Sequence, residues 1–369
     1  MIGLYIHVPF CRRKCDYCDF YSVCDLSLMH DYTAALCREL DGLGGRFCID
    51  TIFVGGGTPS LLPEACWRTL GAAIRRNFSL ATDLEFTVEC NPTSASPSLF
   101  DTLRTIGVNR ISIGVQSLQP EVLAFAGRLH DAEGALSALH LANAYFDNVN
   151  FDYIVGFPQQ TENTVRQDVE RLAPLTQHAS VYALQVEEGT PLYRKVADNS
   201  IDLPDEDYTA ALYDSARAAL ERYGYHRYEV SNFAVDGREC RHNLHCWQYH
   251  EYLGVGAAAH GYVDGIRYYH AADVEAYVRG DITRIEEEDR SIQTAKFEMI
   301  MLGLRTVYGV EFERYKSLFG SDFRREFASL LKDSAIMRAT RIEDGRFAIK
   351  EEYLYTANAV ILRFLEQLS

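Results

Sequence analysis

Short runs of β-branched and other apolar residues recur along the first half of the chain, and all but the last precede a helical pattern. The runs are Leu4–Val8, Thr51–Val54, Leu84–Val88, Arg110–Val115, Val149–Val155 and Ser180–Val186. Strands that alternate with helices form βαβ units and a parallel sheet. Six units are too few for an eight-stranded barrel, so the sequence predicts an α/β fold built on an open, partial (β/α)6 barrel.

Glycine and polar residues cluster at the ends of these predicted strands. The clusters are 55–60 (Gly-Gly-Gly-Thr-Pro-Ser), 89–92 (Glu-Cys-Asn-Pro), 114–117 (Gly-Val-Gln-Ser) and, on the fifth strand, Asp152. By composition alone a Gly-Gly-Gly-Thr-Pro run is only a loop. In a barrel of parallel strands, however, the active site lies at the carboxyl ends of the strands. The position of the clusters therefore predicts a binding site there.

Three cysteines stand close together near the start of the chain, at C-x3-C-x2-C spacing. Cys11, Cys15 and Cys18 can each bind one iron of a [4Fe-4S] cluster, which leaves the fourth iron open to a small molecule. A zinc knuckle and three unrelated buried thiols are the alternatives. Structural zinc sites take four protein ligands, and Cys24 is the only nearby candidate for the fourth. The spacing therefore favours an iron-sulfur cluster.

The second half of the chain changes character after about residue 204. A helix is predicted over Tyr208–Tyr223, followed by a polar and aromatic segment, and helical periodicity returns later in the chain. The later predicted elements are helices over Ser291–Leu304, Phe312–Leu318 and Phe323–Leu331, a hairpin-like turn from Ile342, and a helix over Tyr355–Leu368. We predict three parts: the barrel over 1–204, a connecting segment over 205–290, and a C-terminal helical or winged-helix-like α+β domain over 291–369.

Charge and hydropathy narrow the cellular context. The net charge of −16 argues against nucleic acid as a partner, because proteins that bind a phosphate backbone present a basic surface. No window approaches the ~18 apolar residues of a membrane span, and the start lacks a signal-peptide pattern. Ten cysteines fit a reducing compartment better than a disulfide scaffold. We expect a cytoplasmic protein without a stable membrane anchor, its oligomeric state open and a homodimer among the options.

The motif residues carry a resemblance to a known family. The run 4–11 (Leu-Tyr-Ile-His-Val-Pro-Phe-Cys) leading into 15–20 (Cys-Asp-Tyr-Cys-Asp-Phe) resembles the signature of the radical S-adenosylmethionine (SAM) superfamily. More narrowly, it is similar to the oxygen-independent coproporphyrinogen III dehydrogenases and their heme-chaperone relatives of the HemW type. The resemblance implies a partial barrel, a [4Fe-4S] cluster on Cys11, Cys15 and Cys18, and bound SAM.

Candidate SAM contacts come partly from residue chemistry and partly from the resemblance. Glycine lets the backbone approach a ligand closely, which makes Gly56, Gly57 and Thr58 candidates for the methionine end of SAM. Glu89 can accept from ribose hydroxyls, by analogy with dinucleotide folds. The resemblance implies two SAM molecules, the first beside Tyr5 and the second beside Tyr17, with further polar contacts from Gln116, Arg128 and Asp152. An exposed loop arginine and a strand-end aspartate in a salt bridge are the alternatives for the last two.

Two features separate the relatives within this family. In the dehydrogenases, the second residue after the last cluster cysteine is a further cysteine. Here that residue, two positions after Cys18, is Phe20, as in the heme-chaperone branch. The segment 241–247 (Arg-His-Asn-Leu-His-Cys-Trp) resembles that branch's heme motif, His-Asn-x-x-Tyr-Trp, with Cys246 in place of the tyrosine. His242 is thus a candidate heme ligand, and a Cys246 thiolate is another. A structural role is the alternative for His242, and packing roles are expected for His245, His250 and His260.

The leading hypothesis is a heme chaperone that binds heme, a [4Fe-4S] cluster and SAM, and delivers heme to acceptors such as respiratory cytochromes. The rival is a coproporphyrinogen III dehydrogenase of porphyrin biosynthesis, in which the cofactor does the radical chemistry and the fold positions it. A third hypothesis is anaerobic heme degradation by a relative of radical SAM methyltransferases. No catalytic residue is assigned from the sequence, and whether SAM is cleaved stays open.

Overall fold

The first half of the chain folds into an open barrel of six parallel strands. In the computed structural model, which describes residues 1–289 and 291–368, β1 to β6 lie side by side in chain order. The strands are β1 Ile2–Val8, β2 Cys48–Gly56, β3 Ser79–Cys90, β4 Arg110–Gln116, β5 Val149–Val155 and β6 His178–Ala183. The predicted fold class is confirmed. The sixth strand ends at Ala183, three residues before its predicted end.

Helices connect the strands and cover the outside of the barrel. They are α1 Met29–Leu43, α2 Glu64–Asn77, α3 Pro97–Thr105, α4 Pro120–Phe125, α5 Ala132–Asn143, α6 Glu162–Leu172 and α7 Pro191–Ala197. Apart from the first half of β3, the strands are largely buried on both faces, as expected of parallel strands covered by helices. In β1 the one residue that is not fully buried is Tyr5, and in β5 it is Asp152. Both are candidate site residues.

The segment after α7 extends the sheet at both of its edges. Its elements are α8 Glu206–Glu221, β7 His226–Arg227, β8 Asn232–Ala234, α9 Arg241–Trp247, β9 Tyr252–Val255, β10 His260–Val263, β11 Ile266–His270, α10 Val274–Arg279 and β12 Arg284–Glu286. Strand β8 pairs antiparallel with β6, whereas β9 pairs parallel with β1. The predicted connecting segment 205–290 therefore contributes strands to the sheet. Its last residue, 290, lies outside the described residues.

The C-terminal part combines helices with a three-stranded antiparallel sheet in the order β13-β15-β14. Its elements are α11 Ile292–Gly303, β13 Val310–Glu311, α12 Phe312–Phe319, α13 Phe323–Glu326, α14 Ser334–Ala339, β14 Thr340–Glu343, β15 Arg346–Ile349 and α15 Asn358–Leu368. Phenylalanines 323, 327, 347 and 364 form its core. Helix α13 stops at Glu326, short of its predicted end; residue 369 is not described. Within the described chain no helix is long and apolar enough to span a membrane.

Candidate cofactor site

The carboxyl ends of the barrel strands enclose a cavity of about 570 Å³. It is lined by every site residue predicted from the sequence except the two heme-ligand candidates His242 and Cys246, namely Tyr5, Cys11, Cys15, Tyr17, Cys18, Gly56, Gly57, Thr58, Glu89, Gln116, Arg128 and Asp152. These residues come from five strands and the loops that follow them. The parallel sheet brings them together, because all of its carboxyl ends point to one side.

The three motif cysteines lie in the loop after β1 and face this cavity half-buried. The Cys11 Sγ is 3.5 Å from the Thr58 hydroxyl, and the Cys15 Sγ accepts from Arg128 Nη1 at 3.5 Å. Burial raises the pKa of Cys18 to about 11, so a bound cation is needed to stabilise its thiolate. Cys24 is exposed and does not line the cavity.

The arrangement of the thiols bears on the two metal hypotheses. Among the residues that the structure describes, no three metal-ligating side chains converge to hold a single ion. A zinc site is therefore not preformed around Cys11, Cys15 and Cys18. A [4Fe-4S] cluster makes a different demand, because each thiolate binds a different iron. Three thiols that line one cavity fit the ligands that such a cluster requires.

The glycine turn after β2 packs tightly against the cysteine loop. The Gly57 amide donates to Val8 O at 3.0 Å and the Thr58 amide to Phe10 O at 2.7 Å. A Cβ on Gly57 would lie 2.7 Å from the Phe10 amide nitrogen, so no larger residue fits. Gly56 has a φ of +103°, in the region that favours glycine. The turn thus brings backbone to the cavity wall beside Cys11.

Two carboxyl groups face the cavity from β3 and β5, the strands on either side of β4. Glu89 accepts from the Gly56 amide at 3.1 Å, and burial, followed by repulsion from Asp152, raises its pKa to about 8. Burial also raises the pKa of Asp152, whose carboxylate accepts from Asn150 Nδ2 at 2.8 Å and from the Ser112 hydroxyl at 3.3 Å. Within the described chain Asp152 makes no direct ion pair, although the buried Arg110 guanidinium offsets part of the rise in its pKa.

Gln116 and Arg128 complete the wall at the end of β4. Gln116 has a φ of +68°, a strained conformation for a non-glycine residue, and its buried Oε1 has no hydrogen-bond partner in the described structure. Such an unpaired acceptor fits a ligand hydroxyl. Arg128 donates through Nη2 to Gly114 O at 2.5 Å and through Nη1 to Cys15. It is therefore not an exposed loop arginine but a link between β4 and the cysteine loop.

Two cavity residues, Arg110 and Asn150, and the buried His7 packed against Gly56 were missed from the sequence or given no role. Arg110 lines the cavity together with Glu89 and Asp152. It is only 2% exposed, and its Nε has no hydrogen-bond partner among the described residues. Asn150 is buried beside it. His7 donates through Nε2 to Tyr21 O at 3.0 Å, so its Nδ1 must accept from the Tyr5 hydroxyl at 2.9 Å. The sequence feature that could have identified Arg110 and Asn150 is the alternation of polar residues along β4 and β5.

The two predicted aromatic contacts both line the cavity, Tyr5 from β1 and Tyr17 from the cysteine loop. Tyr5 stacks on Phe53, with ring centroids 6.4 Å apart and planes at 29°. Because its hydroxyl donates to His7, its oxygen lone pairs stay available as acceptors. Tyr17 packs edge-on against Phe157 at 5.9 Å. Both rings offer flat apolar surface to a ligand.

The predicted heme segment forms α9, which lies at the amino-terminal end of the barrel strands. The amides of Arg241 and His242 each donate to the Glu85 carboxylate at 3.0 Å. The His242 ring is buried, bonded through Nδ1 to the Thr51 hydroxyl at 3.0 Å and stacked on Phe53 at 5.5 Å. The structure thus keeps His242 outside the cavity, and only the neighbouring Asn243 reaches it.

Cys246 lies at the end of the same helix. Burial raises the pKa of its thiol to about 12. A thiol in this setting stays protonated near neutral pH and is a poor iron ligand, because metals bind the thiolate. Burial therefore weighs against a thiolate at Cys246.

Known proteins resemble this chain along its whole length. Residues 5–172 match the model of the Radical SAM superfamily. The heme chaperone HemW of Bacillus subtilis (strain 168) is 33% identical, with 100% of both chains covered. HemW of Lactococcus lactis is 34% identical over 98% of this chain and 96% of that protein. The structure of coproporphyrinogen III oxidase (HemN) from Escherichia coli shares the fold, with a TM-score of 0.84 at 21% identity, covering 98% of this chain and 89% of that one.

The class follows from the barrel, the cysteine loop and the superfamily match, which are together those of a radical SAM protein. Similarity over the full length of the chain narrows the class to one family. Within that superfamily the chain belongs to the family of the heme chaperone HemW.

Proposed function

We propose that this protein is a cytoplasmic heme chaperone that binds heme, a [4Fe-4S] cluster and SAM, and passes heme to acceptors such as respiratory cytochromes. The observation that carries the cofactor part is the single cavity shared by the motif thiols and the polar strand ends. Support for the heme part comes from similarity over the full chain to proteins named heme chaperone HemW.

In this proposal Cys11, Cys15 and Cys18 hold the cluster. Cluster and SAM together supply one-electron chemistry at the sulfonium when both are bound. The backbone of the Gly56–Gly57 turn would hold the methionine end of SAM, and its glycines let the turn pack against His7 and Phe10, where a Cβ would not fit. Arg128 stabilises the Cys15 thiolate by a charge-assisted hydrogen bond.

The remaining wall residues bind the polar parts of SAM. Gln116 Oε1, which has no hydrogen-bond partner within the described structure, is an acceptor suited to a ribose hydroxyl, and Glu89 and Asp152 add carboxyl groups from β3 and β5. Tyr5 and Tyr17 contribute aromatic faces for the two SAM molecules that the family resemblance implies. His7 orients Tyr5 through the Nδ1 contact.

A dehydrogenase that converts coproporphyrinogen III is the second candidate, favoured by the fold shared with HemN. Phe20 favours the chaperone: it is 63% exposed at the cavity edge, where the dehydrogenase resemblance requires a cysteine. One anaerobic comparison separates the two. Reconstituted protein is titrated with hemin by absorbance and assayed in parallel for coproporphyrinogen conversion by chromatography. Hemin binding without conversion supports the chaperone, and conversion without hemin binding overturns it.

A further inference from the structure

The cofactor cavity extends into the interior of the barrel, well below the cysteine loop. Its lining includes both Arg110, the first residue of β4, and Gln116, the last. At about 3.3 Å for each residue of a parallel strand, these two positions are about 20 Å apart along β4. Asn243, from α9 at the amino-terminal end of the strands, lines the same cavity. The cavity therefore has a lower end, lined by Arg110 and Asn243, that is distant from the cysteines.

This lower end contains a buried guanidinium without a counter-ion. Arg110 forms no ion pair and no hydrogen bond within the part of the chain that the structure describes, and its Nε is fully enclosed. The side-chain amide of Asn243 likewise has no hydrogen-bond partner among the described residues. A buried charge is costly unless it is paired and hydrogen-bonded. Because Arg110 lines the cavity, an anion bound there would supply the missing partner.

The carboxylates whose charge acts on Arg110 are engaged with other donors. Glu85 accepts from two backbone amides at the start of α9, each at 3.0 Å. Asp152 accepts from Asn150 Nδ2 at 2.8 Å. Neither forms an ion pair with Arg110, although both influence it electrostatically. The donors of the guanidinium are therefore left for a ligand.

A carboxylate is the anion that fits this setting best. The guanidinium fork can donate two parallel hydrogen bonds to the two oxygens of one carboxylate. Its single negative charge balances one cation, whereas a phosphate dianion would place a second negative charge in a cavity that also contains Asp152. Tyr5, Phe53 and Ile154 add apolar surface to the cavity wall. The lining thus suits an organic acid with an apolar body.

We propose that Arg110, together with the side-chain amide of Asn243, binds the carboxylate of an organic acid with an apolar body at the lower end of the cavity. The site goes beyond the proposed function, since it needs neither heme nor the cluster to form. Its carboxylate can come from SAM or from a separate acid that shares the cavity with SAM. The proposed function places the methionine end of SAM at the Gly56–Gly57 turn, at the opposite end of the strands, so the separate acid is our assignment.

The test is a calorimetric titration of the full-length, cofactor-free chain with phenylacetate and with its neutral counterpart phenylacetamide. The wild type should bind only phenylacetate. Arg110→Met should weaken this binding at least about tenfold, the scale of one lost hydrogen bond to a charged group. Arg110→Lys keeps the charge without the fork and should retain part of the affinity. The matched control is Arg68→Met, which removes an exposed arginine paired with Glu64 on α2 and should bind as the wild type does.

Thermal unfolding separates a binding role of Arg110 from a structural one. Because the guanidinium has no partner within the described structure, Arg110→Met should not lower the unfolding midpoint of the ligand-free protein. Phenylacetate should raise the midpoint of the wild type and not that of Arg110→Met, since a ligand that binds only the folded state stabilises it. A lowered midpoint in ligand-free Arg110→Met would make the arginine structural and overturn the proposal.

The titrations distinguish the remaining outcomes. Unchanged phenylacetate affinity in Arg110→Met, or equal binding of phenylacetamide by the wild type, would overturn the site. If Arg110→Met weakens the binding of SAM but not of decarboxylated SAM, the carboxylate is that of SAM and the separate acid is rejected. Equal SAM affinity in both proteins supports the separate acid. Phenylacetate binding by a wild type that binds neither SAM nor heme would reject the proposed function and leave this site standing.

Discussion

His7 lies directly beneath Gly56, so that a Cβ on this glycine would overlap the imidazole ring. The contact joins β1 to the turn after β2, and the same ring holds the Tyr5 hydroxyl and the Tyr21 carbonyl. One buried side chain therefore links the glycine turn, the cysteine loop and an aromatic wall residue.

The His7 contact predicts a large cost for Gly56→Ala. An alanine at a positive φ lowers the free energy of unfolding by about 1 kcal/mol. The overlap with His7 should lower it by about 1 to 3 kcal/mol more, the usual cost of overpacking a core. Gly107→Ala is the matched control, because Gly107 has a φ of +95° and a Cβ added there would have nothing within 4 Å. Denaturant unfolding of both variants gives the comparison. In a His7→Ala background the Gly56→Ala cost should fall toward that of Gly107→Ala; equal costs with and without His7 would contradict the contact.

Replacing Cys11, Cys15 or Cys18 with Ala should abolish the reconstituted cluster, because each loss leaves one more iron without a protein ligand. Cys24→Ala should retain it, since Cys24 is exposed and outside the cavity. Iron content and charge-transfer absorbance after anaerobic reconstitution measure the outcome. A Cys24→Ala protein that lost its cluster would refute the three-ligand assignment.

Glu89→Gln and Asp152→Asn should weaken SAM binding and leave the iron content unchanged. Both side chains line the cavity without contacting the cysteine sulfurs, and a hydrogen bond to a charged group contributes about 1.5 to 3 kcal/mol. Equilibrium binding of SAM to the reconstituted variants checks this. Glu64→Gln, an exposed carboxyl paired with Arg68 on α2, serves as the control. Wild-type SAM affinity in both cavity variants would rule out this role.

The raised pKa of Glu89 predicts a pH dependence of stability. Burial holds its pKa at about 8 in the folded protein, above the usual carboxyl value, so the folded state binds an extra proton between those two values. The free energy of unfolding should therefore fall as pH rises from about 5 to 9. Glu89→Gln removes this titration and should flatten that part of the profile. Urea unfolding of the cofactor-free protein at several pH values measures it, and identical slopes in both proteins would count against the shift.

Features encoded by neighbouring residues could be predicted from the sequence. The spacing of Cys11, Cys15 and Cys18 and the β-branched runs lie within short stretches of chain, and the rule that parallel strands end on one side turns those stretches into a shared site. Gln116 and Asp152 were found in this way, because each stands at or near a strand end.

Contacts between distant parts of the chain could not be predicted in the same way. His242 bonds to Thr51 across 191 positions of sequence, and Arg110 is enclosed by residues from several strands. A histidine in a heme-like motif and an arginine at a strand start carry no local sign of burial. Strand β9 likewise joins β1 only because the sheet edge there is open to pairing.

The sequence by itself determined the alternation of strands and helices, the cysteine loop and the polar strand ends, because period, spacing and turn chemistry are encoded by neighbouring residues. Only the tertiary structure decided which side chains face the cavity and which are buried beneath it. Thus Tyr5 and Asp152 open onto the site, whereas His242 is enclosed. The physical reason is that burial depends on the register and packing of elements far apart in the chain, which no single segment specifies.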